Sequence, residues 1–195
     1  MTQLRKIARS QLRVVLITAV LAASVATTAA ARQGAAQTSP GAGPVVVFET
    51  EKGTFEFETY PNEAPKTVAH IIALVNKRFY NGLRFHRVVP NFVIQAGDPM
   101  TRDMSKQSEW GHYGSGTPVG TAELSPLRKH VRGAVAMAHA GDASKADAQF
   151  YVCLTAQPRL DGQYVVFGRV ISGMDVVGKI QVTDRIIRAT VREAK

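Results

Sequence analysis

The sequence predicts a mainly β domain, an antiparallel sheet closed into a barrel with helices covering it. Three observations carry this expectation. Short runs of β-branched and aromatic residues recur between clusters of turn-forming residues, only two segments show helical spacing, and 195 residues at 45% hydrophobic and 20% charged content suit one substantial core.

The chain ahead of that domain reads differently. Arg5, Lys6, Arg9 and Arg13 form a basic start, Val14 to Ala30 is an uncharged run of apolar and small residues, and Ala29-Ala30-Ala31 offers an A-x-A cleavage site. Residues 1–31 are therefore expected to be a signal peptide cleaved near Ala31, with the protein exported to a periplasm or secreted. The competing reading is an uncleaved anchor, because the run is near the ~17 residues at the lower limit for a spanning helix. Its Ala, Thr and Ser content weakens that reading, so no stable membrane association is expected after cleavage. Residues 32–44, which include Ser39-Pro40-Gly41-Ala42-Gly43-Pro44, read as a flexible linker. The folded domain is expected over 45–192.

Four of the 24 basic residues and none of the 15 acidic ones precede Arg32, so the chain from there on carries +5. Its cations are scattered, with no run of five, and nucleic acid is not an expected partner. Cys153 is the only cysteine, so no intramolecular disulfide is possible, and within Phe150 to Leu154 it reads as a small buried hydrophobe.

Along the domain, Val45 to Thr50 and the alternating Thr54 to Thr59 flank Glu51-Lys52-Gly53 as a hairpin, the second strand with one dry and one acidic, wet face. Pro65 opens a helix in which Val68, Ile71, Ile72, Val75 and Phe79 share a face and which Asn81-Gly82 ends. Further strands are expected at Leu83 to Val89, Phe92 to Ala96, Val131 to Ala138, Phe150 to Leu154, Tyr164 to Val170 and Arg185 to Arg192, with a second short helix over Met174 to Ile180. The long polar stretch Gly97 to Arg128, with Trp110, His112 and Tyr113, is either functional or a sign of missed elements.

Within Leu83-Arg84-Phe85-His86-Arg87-Val88-Val89, alternation places Arg87 on the side of Phe85 and Val89. A guanidinium among apolar neighbours needs a partner or a ligand, since desolvating it unpaired is costly. The bland alternatives are an arginine at the sheet margin reaching water, or one paired with Asp98 or Glu123.

The segment from Phe85-His86-Arg87 through Val88-Val89-Pro90-Asn91-Phe92 to Gln95-Ala96-Gly97-Asp98 resembles the signature of the cyclophilins. Met137-Ala138-His139-Ala140, Gln149-Phe150-Tyr151-Val152 and Leu160-Asp161-Gly162 through Phe167-Gly168 resemble later family segments in the same order, so the resemblance covers about Val45 to Ile187. It implies an eight-stranded antiparallel β-barrel capped by two α-helices, and a peptidyl-prolyl cis-trans isomerase that needs no cofactor and no metal. It implies that Arg87 is the catalytic arginine, acting with Phe92 and Gln95, and that Phe92, Val93, Tyr151 and Leu160 line a proline pocket. Ala138, His139 and Gln149 match positions that, with Gln95, hold the peptide backbone, and Tyr164 matches a pocket-edge position often occupied by His. Expected partners are proline-containing segments of unfolded or exported proteins, met by a monomer. Arg159 stands where many eukaryotic members have tryptophan, which argues against strong cyclosporin binding. His139 and Tyr164 replace an Asn and a His common there, which brings the chain nearer to bacterial forms.

Other chemistry is poorly supported. His70, His86, His112, His130 and His139 lack metal-ligand spacing, and His86, opposite in parity to Arg87, reads as packed and hydrogen-bonded. Ser144 and Ser172 have no nucleophile-elbow context. Two alternatives to an isomerase are a non-catalytic peptide-binding or chaperone module using the same groove, and a barrel holding a small apolar ligand, which requires a large cavity.

Overall fold

A computed structural model describes residues 43–193. The expected signal peptide (1–31) and almost all of the expected linker (32–44) lie outside them. Pro44 already belongs to the domain, since its carbonyl accepts a hydrogen bond from the Thr59 hydroxyl at 2.7 Å.

Eight strands are present: β1 (Val45–Thr50), β2 (Gly53–Thr59), β3 (Arg87–Val89), β4 (Val93–Ala96), β5 (Ala134–Met137), β6 (Phe150–Cys153), β7 (Val166–Ser172) and β8 (Ile186–Arg192). All pairings are antiparallel, in the order β3-β4-β6-β5-β7-β2-β1-β8. The sheet is strongly curled: β1 and β6 are four places apart in that order, yet the rings of Phe48 and Phe150 stack with centroids 5.3 Å apart. Its two edges meet without a strand-to-strand ladder. The chain entering β3 pairs with the chain entering β8 through Gly82 N to Ile186 O, Ile186 N to Leu83 O and Phe85 N to Asp184 O, at 2.7–3.0 Å.

Alternation along the strands divides the apolar residues between two clusters, one on each face. Phe48, Phe55, Phe57, Tyr80, Ile94, Val135, Met137, Phe150 and Phe167 fill the enclosed side, with edge-to-face contacts such as Phe57–Phe167 at 5.9 Å. Burying Tyr80 there is tolerable because its hydroxyl donates to Ala148 O at 3.0 Å. The enclosed side is thus occupied by aromatic rings in mutual contact, Phe48 with Phe55, Phe57, Tyr80 and Phe150. The other cluster, with Val93, Ala134, Ala136, Tyr151, Cys153 and Val166, lies on the outer face. Cys153 is fully buried in it as expected, and loss of solvation pushes its thiol up to about 12, far from the thiolate form needed for reactivity.

Helix α1 (Pro65–Asn76) covers the enclosed cluster with Val68, Ile71, Leu74 and Val75. No local side chain caps its start; Glu123, far along the chain, accepts from the N–H groups of Lys66 and Thr67 at 3.0 and 2.8 Å. Its end differs from the sequence expectation. The helix stops well before Asn81-Gly82 because Arg78 turns left-handed (φ 58°), and Phe79 N to Leu74 O with Arg78 N to Val75 O completes a Schellman closure. Phe79 therefore sits beyond the helix rather than on its face. The second helix, α2 (Met174–Val177), is a single turn instead of reaching Ile180.

Two further expectations on strand faces are corrected. Glu58 does not point to water: it is 8% exposed, and the Tyr60 hydroxyl faces its carboxylate at 3.4 Å. Alternation also breaks at His86, because Leu83 to Phe85 pair with the approach to β8 and only Arg87 to Val89 pair with β4. Phe85 is consequently fully buried among the enclosed aromatics, while Arg87 is exposed on the opposite face.

Candidate active site

Strand register builds the site. Arg87 pairs with Gln95, Gln95 with Tyr151, and Tyr151 with Ala136, so these residues form one row across β3, β4, β6 and β5 on the outer face. Phe92, Val93, Ala138, His139, Gln149, Leu160 and Tyr164 border the same cavity of about 570 Å3. All ten residues expected from the sequence thus converge. Gly111 to Gly114 and Lys145, Asp147 and Ala148 also border the cavity; of these, His112 and Tyr113 belong to the long polar stretch singled out in the sequence, and the others were not named beforehand.

Hydrogen bonds fix the polar row in one sense. Arg87 Nη1 donates to Gln95 Oε1 at 3.3 Å, Gln95 Nε2 donates to Gln149 Oε1 at 2.9 Å, and Gln149 Nε2 donates to the carbonyls of Gly111 (3.0 Å) and Tyr113 (2.8 Å). Each amide has its orientation set by the next, ending on the backbone of the long loop. Close approach of two backbones makes this possible. Gly97, at φ 112°, lies so near β6 that an added Cβ would stand 2.2 Å from Ala148 O, so only glycine lets Gln95 and Gln149 meet.

The long Gly97 to Arg128 stretch is a built part of the site. Two short 3-10 turns (Pro99–Arg102 and Met104–Glu109) are followed by irregular chain pinned by carboxylates. Asp98 Oδ2 accepts from the N–H groups of Gly111, His112 and Tyr113 at 2.6–3.1 Å. Asp147 accepts from Ser115 Oγ at 2.5 Å and Gly116 N at 2.9 Å. Asp98 and Glu123 are thus committed to loop and helix backbone, and neither pairs with Arg87. Of the alternatives for that arginine, the sheet margin is the one realised: β3 is an edge strand, and among the described residues Arg87 makes no ion pair.

The apolar wall rests on a polar support that the sequence did not announce. His130 Nδ1 lies 2.9 Å from Asp161 Oδ1 and its Nε2 lies 2.9 Å from the Tyr151 hydroxyl. Asp161 must accept, so Nδ1 carries the proton and Tyr151 donates to Nε2. Asp161 stood in the Leu160-Asp161-Gly162 motif, but no spacing connects it to His130. Across the cavity His139 donates from Nε2 to Gln163 O at 3.0 Å and its ring lies 4.4 Å from that of Tyr164.

Two imidazoles are held neutral. Burial lowers the pKa of His130 against the opposing hydrogen bond and charge of Asp161, with Lys129 lowering it further. Burial also lowers that of His86, where Asp98 and Gln149 oppose and Arg87 assists. His86 is packed as expected, but its ring nitrogens make no hydrogen bond of good geometry, because the adjacent polar atoms are committed to the loop. A folded pKa below the unfolded one means that the unfolded chain takes up protons first as pH falls, so stability drops below about pH 6.5. Urea midpoints are expected to be lower at pH 5.5 than at pH 7.5; equal midpoints would contradict neutral, buried imidazoles.

Comparisons with known proteins bear on the family and the fold. The family described as cyclophilin type peptidyl-prolyl cis-trans isomerase/CLD matches residues 45–193. A probable peptidyl-prolyl cis-trans isomerase of Brucella abortus is 39% identical over 174 residues, covering 81% of this chain and 88% of that protein. A peptidyl-prolyl cis-trans isomerase of Helicobacter pylori is 36% identical over 141 residues, covering 71% and 81%. Among solved structures, a cyclophilin-type isomerase of Cryptosporidium parvum superposes with a TM-score of 0.66 at 24% identity, covering 78% of this chain and 99% of that one, and so shows the fold. With the eight-stranded curled sheet and the cavity on its outer face, these likenesses establish that the chain belongs to the cyclophilin-type peptidyl-prolyl cis-trans isomerases.

Proposed function

We propose that the protein accelerates rotation about X-Pro bonds in exported proteins after its own export, with Arg87 as the catalytic donor. One observation carries the site assignment: a hydrogen-bonded row, Arg87 to Gln95 to Gln149, runs beside an apolar wall of Phe92, Val93, Tyr151 and Leu160. That pairing suits an amide whose proline ring needs a dry socket and whose polar atoms need fixed partners.

Rotation about a peptide bond faces a barrier of ~18–20 kcal/mol because twisting destroys amide resonance. As resonance is lost, the proline nitrogen becomes pyramidal and its lone pair localises. A donor placed there binds the twisted amide better than the planar one, which is the requirement for catalysis. Arg87 meets it: the guanidinium stays charged, has a rigid fork of donors, and spends one on Gln95 while its Cζ lies 5.2 Å from the centre of the Phe92 ring. Gln95, Gln149, Ala138 and His139 border the cavity where the flanking peptide backbone would lie. No covalent link is cut and no electron passes from one molecule to another, so the step calls on no cofactor.

Turnover of a short proline peptide by the purified domain, wild type beside Arg87→Ala, tests the site. For export, the full chain is expressed in a bacterial host and the N-terminus of the soluble product is sequenced. A start near Arg32 is expected, and a membrane-bound product that begins at Met1 would overturn the exported reading. The domain is proposed to act as a monomer.

A further inference from the structure

Two guanidiniums share one ring that borders the cavity, that of Phe92. Arg87 Cζ lies 5.2 Å from the centroid of Phe92, and Arg159 Cζ lies 4.7 Å from it. The two cations therefore stand no more than about 10 Å apart, comparable to the Debye length of roughly 8–10 Å at ordinary salt. They come from unrelated parts of the fold, edge strand β3 and the 3-10 turn Pro158–Leu160 that also delivers Leu160 to the cavity.

The turn carrying Arg159 is fixed at both ends. Gln157 N donates to His130 O and Gln157 Nε2 to Asn91 O at 3.1 Å, while Gln163 Nε2 donates to the carbonyl of Arg159 at 2.8 Å. Among the described residues neither Arg87 nor Arg159 meets a carboxylate at salt-bridge distance. The nearby acids are engaged elsewhere. Asp161 holds His130 and faces Lys129, Asp147 holds Ser115 and Gly116 and faces His70, Asp142 holds Ser144, and Glu109 faces the Tyr113 hydroxyl. Two like charges held against one aromatic ring repel each other, and an anionic group arriving near both relieves that repulsion.

We propose that Arg159 is a specificity-determining residue which, together with Arg87, favours substrate segments bearing a carboxylate side chain next to the proline. This rests on the cavity being the proline site, and it adds the chemical class of the preferred segment. Arg159 contributes charge at the rim and takes no part in the twist itself, so its effect falls on capture of the peptide and weakens with salt.

The test uses matched peptides with Glu, Gln or Lys immediately before the proline, and a second set with the same substitutions immediately after it. The quantity read is the ratio of kcat/KM between the Glu and Lys peptides within each protein, so any general loss from disturbing Phe92 cancels. For the wild type at low salt that ratio is expected to be about twofold to fivefold in at least one set, the range for a single exposed charge pair, and to approach one at about 0.5 M salt. Arg159→Gln brings the ratio close to one, Arg159→Lys retains it, and Arg159→Glu inverts it. A wild-type ratio of one in both sets, or a ratio unchanged by Arg159→Gln, overturns the inference while leaving the proline site intact. A wild type that turns over no peptide overturns the proline site and this inference with it.

Discussion

Arg87→Ala is expected to fold normally and to isomerise proline peptides about a hundredfold to a thousandfold more slowly than the wild type. The magnitude follows from what is removed. Deleting one preorganised donor aimed at developing charge in a sheltered site costs on the order of 3–4 kcal/mol of transition-state stabilisation. The donor here acts on a nitrogen lone pair that exists only in the twisted amide, so the loss falls on kcat more than on KM. Stability is expected to change little, because the side chain is exposed and, among the described residues, makes one hydrogen bond, at 3.3 Å to Gln95. Arg87→Lys restores the charge without the fork that serves Gln95 and the substrate together, and should recover only part of the rate. The measurements are kcat/KM on a proline peptide and a thermal melt of the same preparations. Full activity in a folded Arg87→Ala protein would remove Arg87 from the mechanism.

Such a variant was conceivable from the sequence, and the family resemblance named the residues around it, but the hydrogen bonds that hold them were not foreseen. Arg87, Phe92 and Gln95 lie within nine residues and in one motif, and strand parity alone placed Arg87 and Val89 on a common face. The strands were legible because their β-branched and aromatic residues are local signals. What stayed hidden depends on contacts distant in sequence. Gln149 joins Gln95 across 54 residues, Glu123 caps a helix that starts 58 residues before it, and His130 reaches both Asp161 and Tyr151. None of these pairs has a characteristic spacing, because the register of a curled sheet, not the chain, brings them together. Local rules failed in two places for the same reason. Arg78 took the left-handed position that Gly82 advertised because Phe79 and Tyr80 had to turn toward the core, and Phe85 left the face of Arg87 because the preceding residues close the sheet seam.

Asp98→Ala is expected to destabilise the protein by about 3–5 kcal/mol, a fall in Tm on the order of 10 °C, and to reduce isomerase activity although Asp98 does not itself border the cavity. Asp98 is fully buried, and it balances its charge with backbone donors: Oδ1 accepts from Met100 N at 2.7 Å and Oδ2 from Gly111, His112 and Tyr113. Alanine leaves four amides without their acceptor. Those on the exposed side can turn to water, which is why the expected cost is well below four full desolvation penalties. Activity follows because the freed segment includes Gly111 and Tyr113, whose carbonyls orient Gln149, which orients Gln95, which receives Arg87. Asp98→Asn keeps the size but removes the charge and leaves an NH2 group facing at least the Met100 N–H even when its oxygen is turned to the three loop donors, so it should recover only part of the loss, whereas a purely space-filling role would make it almost neutral. Urea midpoints, amide exchange at Gly111 to Tyr113 and kcat/KM separate the outcomes. Lost protection confined to that loop, with lowered activity and an intact far side of the sheet, is the expected pattern. A stable, fully active Asp98→Asn protein would show that the carboxylate neither anchors the loop nor supports Arg87 through it.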